Sequence, residues 1–396
     1  MSGPHARFDT LAVHGVAAPD VPGRPVVSPI VQSASFHHED VETLGAAINE
    51  QGPGFTYSRL GNPTVDALGR TVAALEGAAQ GVVFGSGMAA ITAALLAECA
   101  AGDRVLAPRA LYGGTYALLA RLLPRWGIET TFVDYADAPA AEAAMAVGSG
   151  RTRVVYAETI ANPTMDVPDL ARLAALAHAH EAALVVDSTF ASPWLCRPIE
   201  HGADVVVHSA TKYLSGHGDV VAGVVATSGA RAARLRKLQA ETGGVASPFT
   251  AWLTARGVQT LPVRMERHCA TAMRLAQALA GHPGVETVHY PGLATHPDHE
   301  VAARQLRAGR FGGMLGFDLR GGVEAGRRFQ NRLQLVLRAG SLGDVHSLAL
   351  HPASTSHRQL DPAARQAAGI GDGYVRLSVG LEDPDDILED LTAALA

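Results

Sequence analysis

Apolar runs alternate with helical patterns from about residue 61 onward, and this alternation constrains the fold more than any other feature. Repeated strand–helix units favour an α/β fold, in which helices cover both faces of a mainly parallel sheet. Ligands of such sheets bind at the carboxyl ends of the strands. The runs predict strands at 81–84, 104–107, 129–133, 153–157, 183–187, 204–208 and 220–227.

The chain divides into three predicted parts. Residues 1–60 predict an extended arm that packs on something else, often another subunit. Residues 61–255 predict the large α/β domain. Residues 256–396 predict a smaller α+β domain, with strands at 285–290, 313–319 and 374–379 and helices at 321–333 and 384–395. The features that argue against helix in the arm are Pro19, Pro22, Pro25, Pro29 and the break at Gly52-Pro53-Gly54.

Lys212 follows a predicted strand and precedes a glycine-rich turn, in the segment His208-Ser-Ala-Thr-Lys-Tyr-Leu-Ser-Gly-His-Gly-Asp219. Burying an ammonium group at a strand end is costly, and the cost is removed when the amine is bound as an imine. Lysine suits such chemistry because its pKa falls readily on burial or near other cations. The alternative is a surface lysine; we interpret Lys212 as a Schiff-base lysine.

Asp187 ends the predicted strand at 183–187, and the next predicted strand, at 204–208, leads to Lys212. A carboxylate there can pair with a pyridinium nitrogen, which keeps the nitrogen protonated and preserves the ring as an electron sink. Since Ser188 and Thr189 follow, a turn or helix N-cap is the alternative role. Its position one strand before Lys212 favours the cofactor role. Together the two residues predict a pyridoxal 5′-phosphate (PLP) site.

The segment Phe84-Gly-Ser-Gly-Met-Ala-Ala90 predicts a glycine-rich turn from a strand into a helix. Free N–H groups at a helix N-terminus suit a phosphate. The segment also fits the dinucleotide fingerprint G-x-G-x-x-A, so an NAD-dependent dehydrogenase is a distant alternative. That alternative is weakened because no acidic residue ends the following strand at 104–107. Ser209 and Thr211 offer hydroxyls to the same phosphate, or are ordinary turn residues.

Four further residues are candidates for binding anions or an aromatic ring. Arg59 beside Tyr57 can clamp a phosphate dianion, although a solvated loop arginine has the same pattern. Tyr112 follows a strand end and can stack on a pyridine ring or be a core tyrosine. Arg376 lies within a predicted strand, where a buried guanidinium needs an anion. That anion is a substrate α-carboxylate or, in an internal ion pair, Glu382.

Composition argues against several other partners. The net charge of −6, with scattered basic residues, disfavours nucleic acid and anionic membrane surfaces. No apolar run is long enough to span a bilayer, and no signal peptide is evident. The 17 histidines lack the spacing of a metal site, so no metal is predicted. Three widely spaced cysteines, Cys99, Cys196 and Cys269, indicate small buried residues in a reducing, cytoplasmic protein.

Several segments together resemble the Cys/Met-metabolism PLP enzymes. This group contains cystathionine γ-synthase, cystathionine β- and γ-lyases, methionine γ-lyase and the O-acylhomoserine sulfhydrylases. The segment around Lys212 looks like the lysine signature of this family. Other matching segments, which extend from about Val26 to the C-terminus, are Tyr57-Ser-Arg-Leu-Gly-Asn-Pro-Thr64, Ser86-Gly-Met-Ala-Ala90, Leu111-Tyr-Gly-Gly-Thr115, Val185-Val-Asp-Ser-Thr189, Ser341-Leu-Gly-Asp344, His351-Pro-Ala-Ser354 and Val375-Arg-Leu-Ser-Val-Gly-Leu-Glu382.

The resemblance implies the PLP-dependent aminotransferase-like fold (fold type I). In that fold a mainly parallel seven-stranded sheet is joined to a smaller α+β C-terminal domain, and residues 61–255 become the PLP-binding domain. It also implies a homotetramer, built as a dimer of dimers with shared active sites. In that assembly the arm would contact a neighbouring subunit.

The same resemblance implies a role for each candidate residue. Lys212 bonds to the cofactor aldehyde, Asp187 holds the ring nitrogen, and Tyr112 stacks on the ring and takes part in proton transfer. The other implied cofactor contacts are Gly87, Met88, Ser209 and Thr211 at the phosphate, Tyr57 and Arg59 from a neighbouring subunit, Asn162 at the ring oxygen, and Thr189. The residues implied to bind the substrate are Arg376, Ser341 and Tyr57.

Within the family, the segments 264–269, 326–329 and 341–344 most resemble methionine γ-lyases. Gly114 and Gly340 depart from the methionine γ-lyase pattern, and the segment 351–360 is more similar to the sulfhydrylases. We therefore predict a PLP-dependent carbon–sulfur lyase. It would act by γ-elimination on L-methionine or a related amino acid such as homocysteine or cystathionine, giving 2-oxobutyrate, ammonia and a thiol. The nearest alternative is γ-replacement, by an O-acylhomoserine sulfhydrylase or a cystathionine γ-synthase.

Overall fold

Two β-sheets organise the chain. The structure, a computed structural model, describes residues 6–16, 25–49, 52–146, 150–356, 358, 365 and 369–396. The strands of the larger sheet are β1 (Gln80–Phe84), β2 (Arg104–Pro108), β3 (Glu129–Val133), β4 (Thr152–Glu158), β5 (Ala183–Asp187), β6 (Val205–His208) and β7 (Gly223–Thr227). Their order is β1-β7-β6-β5-β4-β2-β3. Only β7 runs antiparallel to its neighbours. The predicted mainly parallel seven-stranded sheet is confirmed.

The central strands are apolar because both faces of the sheet are covered. Every residue of β5, Ala-Leu-Val-Val-Asp, is buried. Along β4, Val154 and Tyr156 pack in one apolar cluster and Val155 and Ala157 in another, as the alternation of side chains requires. Burying each such aliphatic side chain contributes about 1.5–3 kcal/mol. Polar residues are therefore confined to the strand ends, where they meet at one edge of the sheet.

Helices that precede or pack on the larger sheet follow the chain in order. They are α1 (Phe8–His14), α2 (Val41–Ile48), α3 (Pro63–Glu76), α4 (Gly87–Glu98), α5 (Gly113–Ala117), α6 (Ala138–Ala146), α7 (Leu170–Ala179), α8 (Ser192–Leu195), α9 (Gly229–Thr242) and α10 (Pro248–Val258). A π-helical turn (Leu118–Leu122) and a 3-10 turn (Leu123–Trp126) extend α5, and a further 3-10 turn spans Pro198–His201. The chain from 113 to 126 is thus helical but irregular.

The smaller sheet comes from the last third of the chain. Its strands are β8 (Val285–His289), β9 (Met314–Leu319), β10 (Leu337–Arg338), β11 (Leu348–Leu350) and β12 (Tyr374–Ser378). The order is β10-β11-β12-β9-β8, and all pairings except β10–β11 are antiparallel. Around it lie α11 (Leu261–Ala280), α12 (His299–Gln305), α13 (Gly322–Arg332), a 3-10 turn (Pro352–Ser354) and α14 (Pro384–Leu395). The predicted smaller α+β part is confirmed; its domain boundaries stay predictions.

The arm is less extended than its prolines predict. Helix α1 buries Phe8 and Ala12, and α2 is capped at its N-terminus by Asp40, whose carboxylate accepts the Thr43 N–H at 2.7 Å. Both are short helices that a search for helical periodicity overlooks. The two prolines at positions 19 and 22 lie outside the described residues, while Pro25 and Pro29 lie outside any helix, as predicted.

Two further predictions concern the rest of the chain. None of the helices in the described ranges combines the length and the apolar character needed to cross a lipid bilayer. All three cysteines are buried and free, as expected for small core residues. Burial raises the pKa of Cys99 to about 12, which keeps this thiol unreactive.

Candidate active site

A cavity of about 310 Å³ opens at the carboxyl edge of the larger sheet. Its walls come from the ends of β4 and β5, the loop after β6, the start of α4, and parts of the smaller sheet. Ten of the predicted site residues line this cavity. Because Arg376 lies on β12 and most of the others lie at the larger sheet, both sheets contribute to one site. The ten residues are Gly87, Met88, Tyr112, Asn162, Asp187, Thr189, Ser209, Thr211, Lys212 and Arg376.

The amine of Lys212 reaches across this cavity to the smaller sheet's side. Its Nζ donates a hydrogen bond to Ser341 Oγ at 2.8 Å. Within the described ranges no carboxylate lies within ion-pair distance of this half-buried amine. Burial and then the charge of Arg376 lower the pKa of Lys212. A lowered pKa increases the fraction of neutral amine, the form that attacks an aldehyde or accepts a proton.

Asp187 forms the turn contacts of one alternative and also lines the cavity, as its proposed cofactor role requires. Its Oδ1 accepts the Thr189 N–H at 2.9 Å and the Thr189 hydroxyl, as in a turn. The carboxylate also lines the cavity. Burial raises the pKa of Asp187, although the bonds from Thr189 oppose the shift. A cationic ring nitrogen placed beside this acid would offset the cost of burying its charge.

The N-terminus of α4 forms part of the cavity wall and is suited to binding an anion. Ser86 caps the helix, and its Oγ accepts the Ala89 N–H at 3.0 Å. The N–H groups of Gly87 and Met88 precede the first intrahelical bond and face no helical acceptor. A Cβ on Gly87 would lie 2.7 Å from Cβ of Ser209, so only glycine lets the helix approach this loop. This geometry suits a phosphate.

Thr189 and Thr211 fix the loop that follows β6. Thr189 Oγ1 accepts the Ser209 N–H at 2.8 Å, and this bond connects the end of β5 to the loop after β6. Thr211 Oγ1 accepts the Ala222 N–H at 3.0 Å. Both residues line the cavity, and each hydroxyl accepts a hydrogen bond from the backbone of a neighbouring segment.

Arg376 is a buried cation that donates hydrogen bonds to two neutral acceptors. It is 7% exposed and donates to Asn162 Oδ1 at 2.9 Å and to the Ser341 carbonyl at 3.1 Å. The alternative ion pair with Glu382 is not formed: that carboxylate accepts from the N–H and the hydroxyl of Ser347 instead. Among the residues that the structure describes, no carboxylate forms an ion pair with this buried guanidinium, which suits an anionic group of a ligand.

The three aromatic and arm candidates divide into two groups. Tyr112 lines the cavity and is 46% exposed, so it is not the core tyrosine of the alternative interpretation. Tyr57 and Arg59 do not line the cavity of their own chain. Arg59 donates to the Ala240 carbonyl at 2.6 Å and lies 5.7 Å from the centre of the Tyr57 ring. Their implied action on a neighbouring subunit stays a prediction.

Glu158 is a site residue that the sequence analysis did not single out. It ends β4 directly beside Asp187 in the strand register and lines the cavity. Its two oxygens accept the N–H groups of Tyr112 and Asn162, each at 2.8 Å. Burial, followed by repulsion from Asp187, raises the pKa of Glu158 to about 8. The available signal was its place at the polar end of a buried strand, the same signal that identifies Asp187.

The residues present fit pyridoxal 5′-phosphate. The cavity offers an amine for an aldehyde, an acid for a ring nitrogen, free N–H groups for a phosphate and a half-exposed tyrosine ring for stacking. The buried Arg376 and the half-buried Lys212 also place two cationic side chains at this site, which suits an anionic ligand.

Comparison with known sequences agrees with this geometry. The sequence profile of the family described as "Cys/Met metabolism PLP-dependent enzyme" matches residues 9–396. The chain belongs to this family. Its cofactor is therefore pyridoxal 5′-phosphate, and the alternative of an NAD-dependent dehydrogenase is wrong.

Individual relatives cover almost the whole chain. An L-methionine gamma-lyase of Pseudomonas putida is 48% identical over 98% of this chain and 97% of its own length. An O-succinylhomoserine sulfhydrylase of Pseudomonas aeruginosa is 40% identical over 99% of this chain and 96% of its own. The solved structure of metB from Corynebacterium glutamicum matches with a TM-score of 0.91 and 41% identity, over 98% of each chain. Fold type I, predicted from the sequence, is confirmed.

The two adjacent acids predict a pH dependence for the cofactor-free protein. A raised pKa means that folding favours the protonated acid. The contribution of Glu158 is then complete below its ordinary pKa of 4.5 and is lost as the pH rises through about 8. We expect the urea midpoint of the wild type to fall over this range more steeply than that of Glu158→Gln. Parallel profiles for the two proteins would show that Glu158 does not titrate with a raised pKa.

Proposed function

We propose that this chain is a PLP-dependent carbon–sulfur lyase that carries out γ-elimination on L-methionine or a closely related sulfur amino acid. The products are 2-oxobutyrate, ammonia and a thiol. The observation that carries the proposal is the convergence of Lys212, Asp187 and Arg376 on one cavity. The choice of methionine is supported by the L-methionine gamma-lyases of Pseudomonas putida and Fusobacterium nucleatum, which are 48% and 44% identical to the chain.

Each site residue has a chemical task in this reaction. When bound, PLP supplies an electron sink that makes the α- and then the β-proton of an amino acid acidic. Asp187 keeps the ring nitrogen protonated. Lys212 holds the cofactor in the resting protein, and its amine with a lowered pKa accepts and returns protons at the substrate carbons. Arg376 and Ser341 orient the substrate carboxylate.

Departure of the sulfur requires a proton donor at the far end of the substrate. Tyr112 lines the cavity and is 46% exposed. Because Lys212 serves the substrate carbons, a second acid is needed at the sulfur. We assign Tyr112 the role of general acid at sulfur.

Tyr112→Phe tests this assignment because it removes only the hydroxyl. We expect kcat for methionine to fall about 10²-fold, within the range of general acid catalysis. Stacking needs only the ring, so the affinity for PLP should stay near that of the wild type. Tyr116→Phe, on the neighbouring turn of α5, is the matched control and should keep the wild-type kcat. An unchanged kcat in Tyr112→Phe would assign the proton to another donor.

A product assay tests the reaction itself. Purified protein with PLP should release 2-oxobutyrate and a thiol from L-methionine in the absence of any added nucleophile. Homocysteine, cystathionine and O-acetylhomoserine, assayed in parallel, define the substrate. No 2-oxobutyrate from any of these amino acids would reject γ-elimination.

The second candidate function is γ-replacement on an O-acylhomoserine. It is favoured by the similarity to the O-succinylhomoserine sulfhydrylase and to an O-acetyl-L-homoserine sulfhydrylase of Leptospira meyeri, which is 38% identical. Added sulfide or thiol would then divert the product from 2-oxobutyrate to a new sulfur amino acid. Comparing O-acetylhomoserine turnover with and without sulfide separates the two reactions.

The proposal extends to the assembly and its location. We place the protein in the cytoplasm as a homotetramer built as a dimer of dimers, with residues 1–60 as the arm, 61–255 as the PLP-binding domain and 256–396 as the C-terminal domain. In this arrangement Tyr57 and Arg59 complete the phosphate site of a neighbouring subunit. Arg59→Ala should weaken PLP binding although Arg59 lies outside its own cavity.

A further inference from the structure

Glu158 connects two site residues that lie on different segments of the chain. Its Oε1 accepts the backbone N–H of Tyr112, just before α5, and its Oε2 accepts the backbone N–H of Asn162, after β4. Both distances are 2.8 Å, and the side chain is 5% exposed. One buried carboxylate therefore fixes the chain at the ring-stacking tyrosine and at the asparagine.

The connection continues to the proposed substrate anchor. Asn162 Oδ1 accepts a bond from Arg376 at 2.9 Å, and Arg376 donates to the Ser341 carbonyl at 3.1 Å. Ser341 Oγ in turn accepts the bond from Lys212. A continuous series of contacts thus runs from Tyr112 through Glu158 and Asn162 to Arg376, Ser341 and Lys212.

Glu158 is buried at a position where an acidic side chain is energetically costly. Its neighbour in the register is Asp187, a second buried acid, and repulsion between the two adds to the cost of desolvation. A carboxylate is nonetheless the only side-chain group of this length that offers two acceptors and no donor. Glutamine would leave one of the two N–H groups facing an NH₂ group.

From this geometry we infer that Glu158 is a positioning residue. It holds the backbone of Tyr112 at the cavity mouth and that of Asn162 beside Arg376, so that the cofactor ring and the substrate carboxylate are held in one orientation. The inference rests on the proposed placement of PLP and substrate in this site.

Glu158→Gln provides the main test, because it keeps the size of the side chain and removes one acceptor. Leaving a buried N–H without an acceptor should weaken PLP binding to the cofactor-free protein on the order of tenfold. KM for methionine should also rise, since Asn162 no longer holds Arg376 in place. In addition, the pH midpoint of the visible cofactor band should shift, because an ionisable group beside Asp187 is lost.

Glu98→Gln is the matched control. Glu98 has a side chain that is only 7% exposed, but it pairs with Arg231 and Arg234 on the helical surface away from the cavity. This variant should bind PLP with wild-type affinity and show a wild-type spectrum. Melting of the cofactor-free proteins separates general destabilisation from a specific effect on the site.

Two results would overturn the inference. One is a Glu158→Gln protein with wild-type PLP affinity, spectrum and KM. The other is a loss of PLP affinity that Glu98→Gln matches. Where Glu158→Gln does not fold, Glu158→Asp takes its place: its shorter carboxylate should weaken PLP binding more than Glu98→Gln does, and wild-type affinity would contradict the inference. The PLP affinity and the spectrum are independent of turnover, so these two readouts stand even if methionine proves not to be the substrate.

Discussion

Lys212→Ala should lower kcat for methionine by about 10⁴-fold or more, because one side chain is lost both as the point of cofactor attachment and as the proton acceptor. The purified variant should also lack the visible absorbance of the covalently held cofactor. Turnover and spectrum should fall together, since both depend on the same amine. Wild-type turnover in this variant would refute the assignment of Lys212.

The chain offers an unusually clean control for this experiment. Its sequence contains one other lysine, Lys237, which is exposed on α9. Lys237→Ala should retain the wild-type kcat and the wild-type spectrum. A general effect of removing a lysine charge would appear in both variants, whereas loss of the cofactor bond should appear only in Lys212→Ala.

Arg376→Leu should lower kcat/KM for methionine by about 10²–10³-fold, the range expected when one member of a buried charge pair is removed. Most of the loss should appear as a higher KM, because Arg376 holds the carboxylate of the substrate and not its reacting carbons. PLP affinity should change little. Arg376→Lys keeps the charge but loses the planar fork, so it should recover only part of the activity.

An amine without a carboxylate gives the control for Arg376. The amine 3-(methylthio)propylamine has the thioether and amino groups of methionine and no carboxylate. Its inhibition constant should be similar for the wild type and for Arg376→Leu, whereas the KM for methionine should differ strongly. Equal losses for both compounds would show that Arg376 supports the cavity in general and does not recognise the carboxylate.

The sequence predicts the larger sheet well, and there is a physical reason. Strands buried on both faces are short apolar runs, and β1, β2, β4, β5 and β6 all have that form. In a parallel sheet the residues after such runs share one edge, so the sequence alone predicts that Lys212 and Asp187 lie close together. The strands β10 and β11, with two and three residues, are too short to show a pattern.

Other parts of the site depend on contacts between distant segments. Lys212 and Ser341 lie 129 positions apart, and Arg376 and Asn162 lie 214 apart. Only the resemblance to the family places these residues in one site from sequence. Glu158 ends a buried strand as Asp187 does, but its two partners are backbone N–H groups, which no residue type reveals. Tyr57 and Arg59 act, in our proposal, on another subunit, which a single chain does not contain.

Reduction with borohydride followed by peptide mapping tests the central claim most directly. Borohydride converts an imine between lysine and PLP into a stable secondary amine, and mass spectrometry then locates the added mass on one peptide. The account predicts that the adduct lies on the peptide that contains Lys212 and is absent from the peptide that contains Lys237. An adduct on Lys237, or no adduct in protein that carries the cofactor, would contradict it.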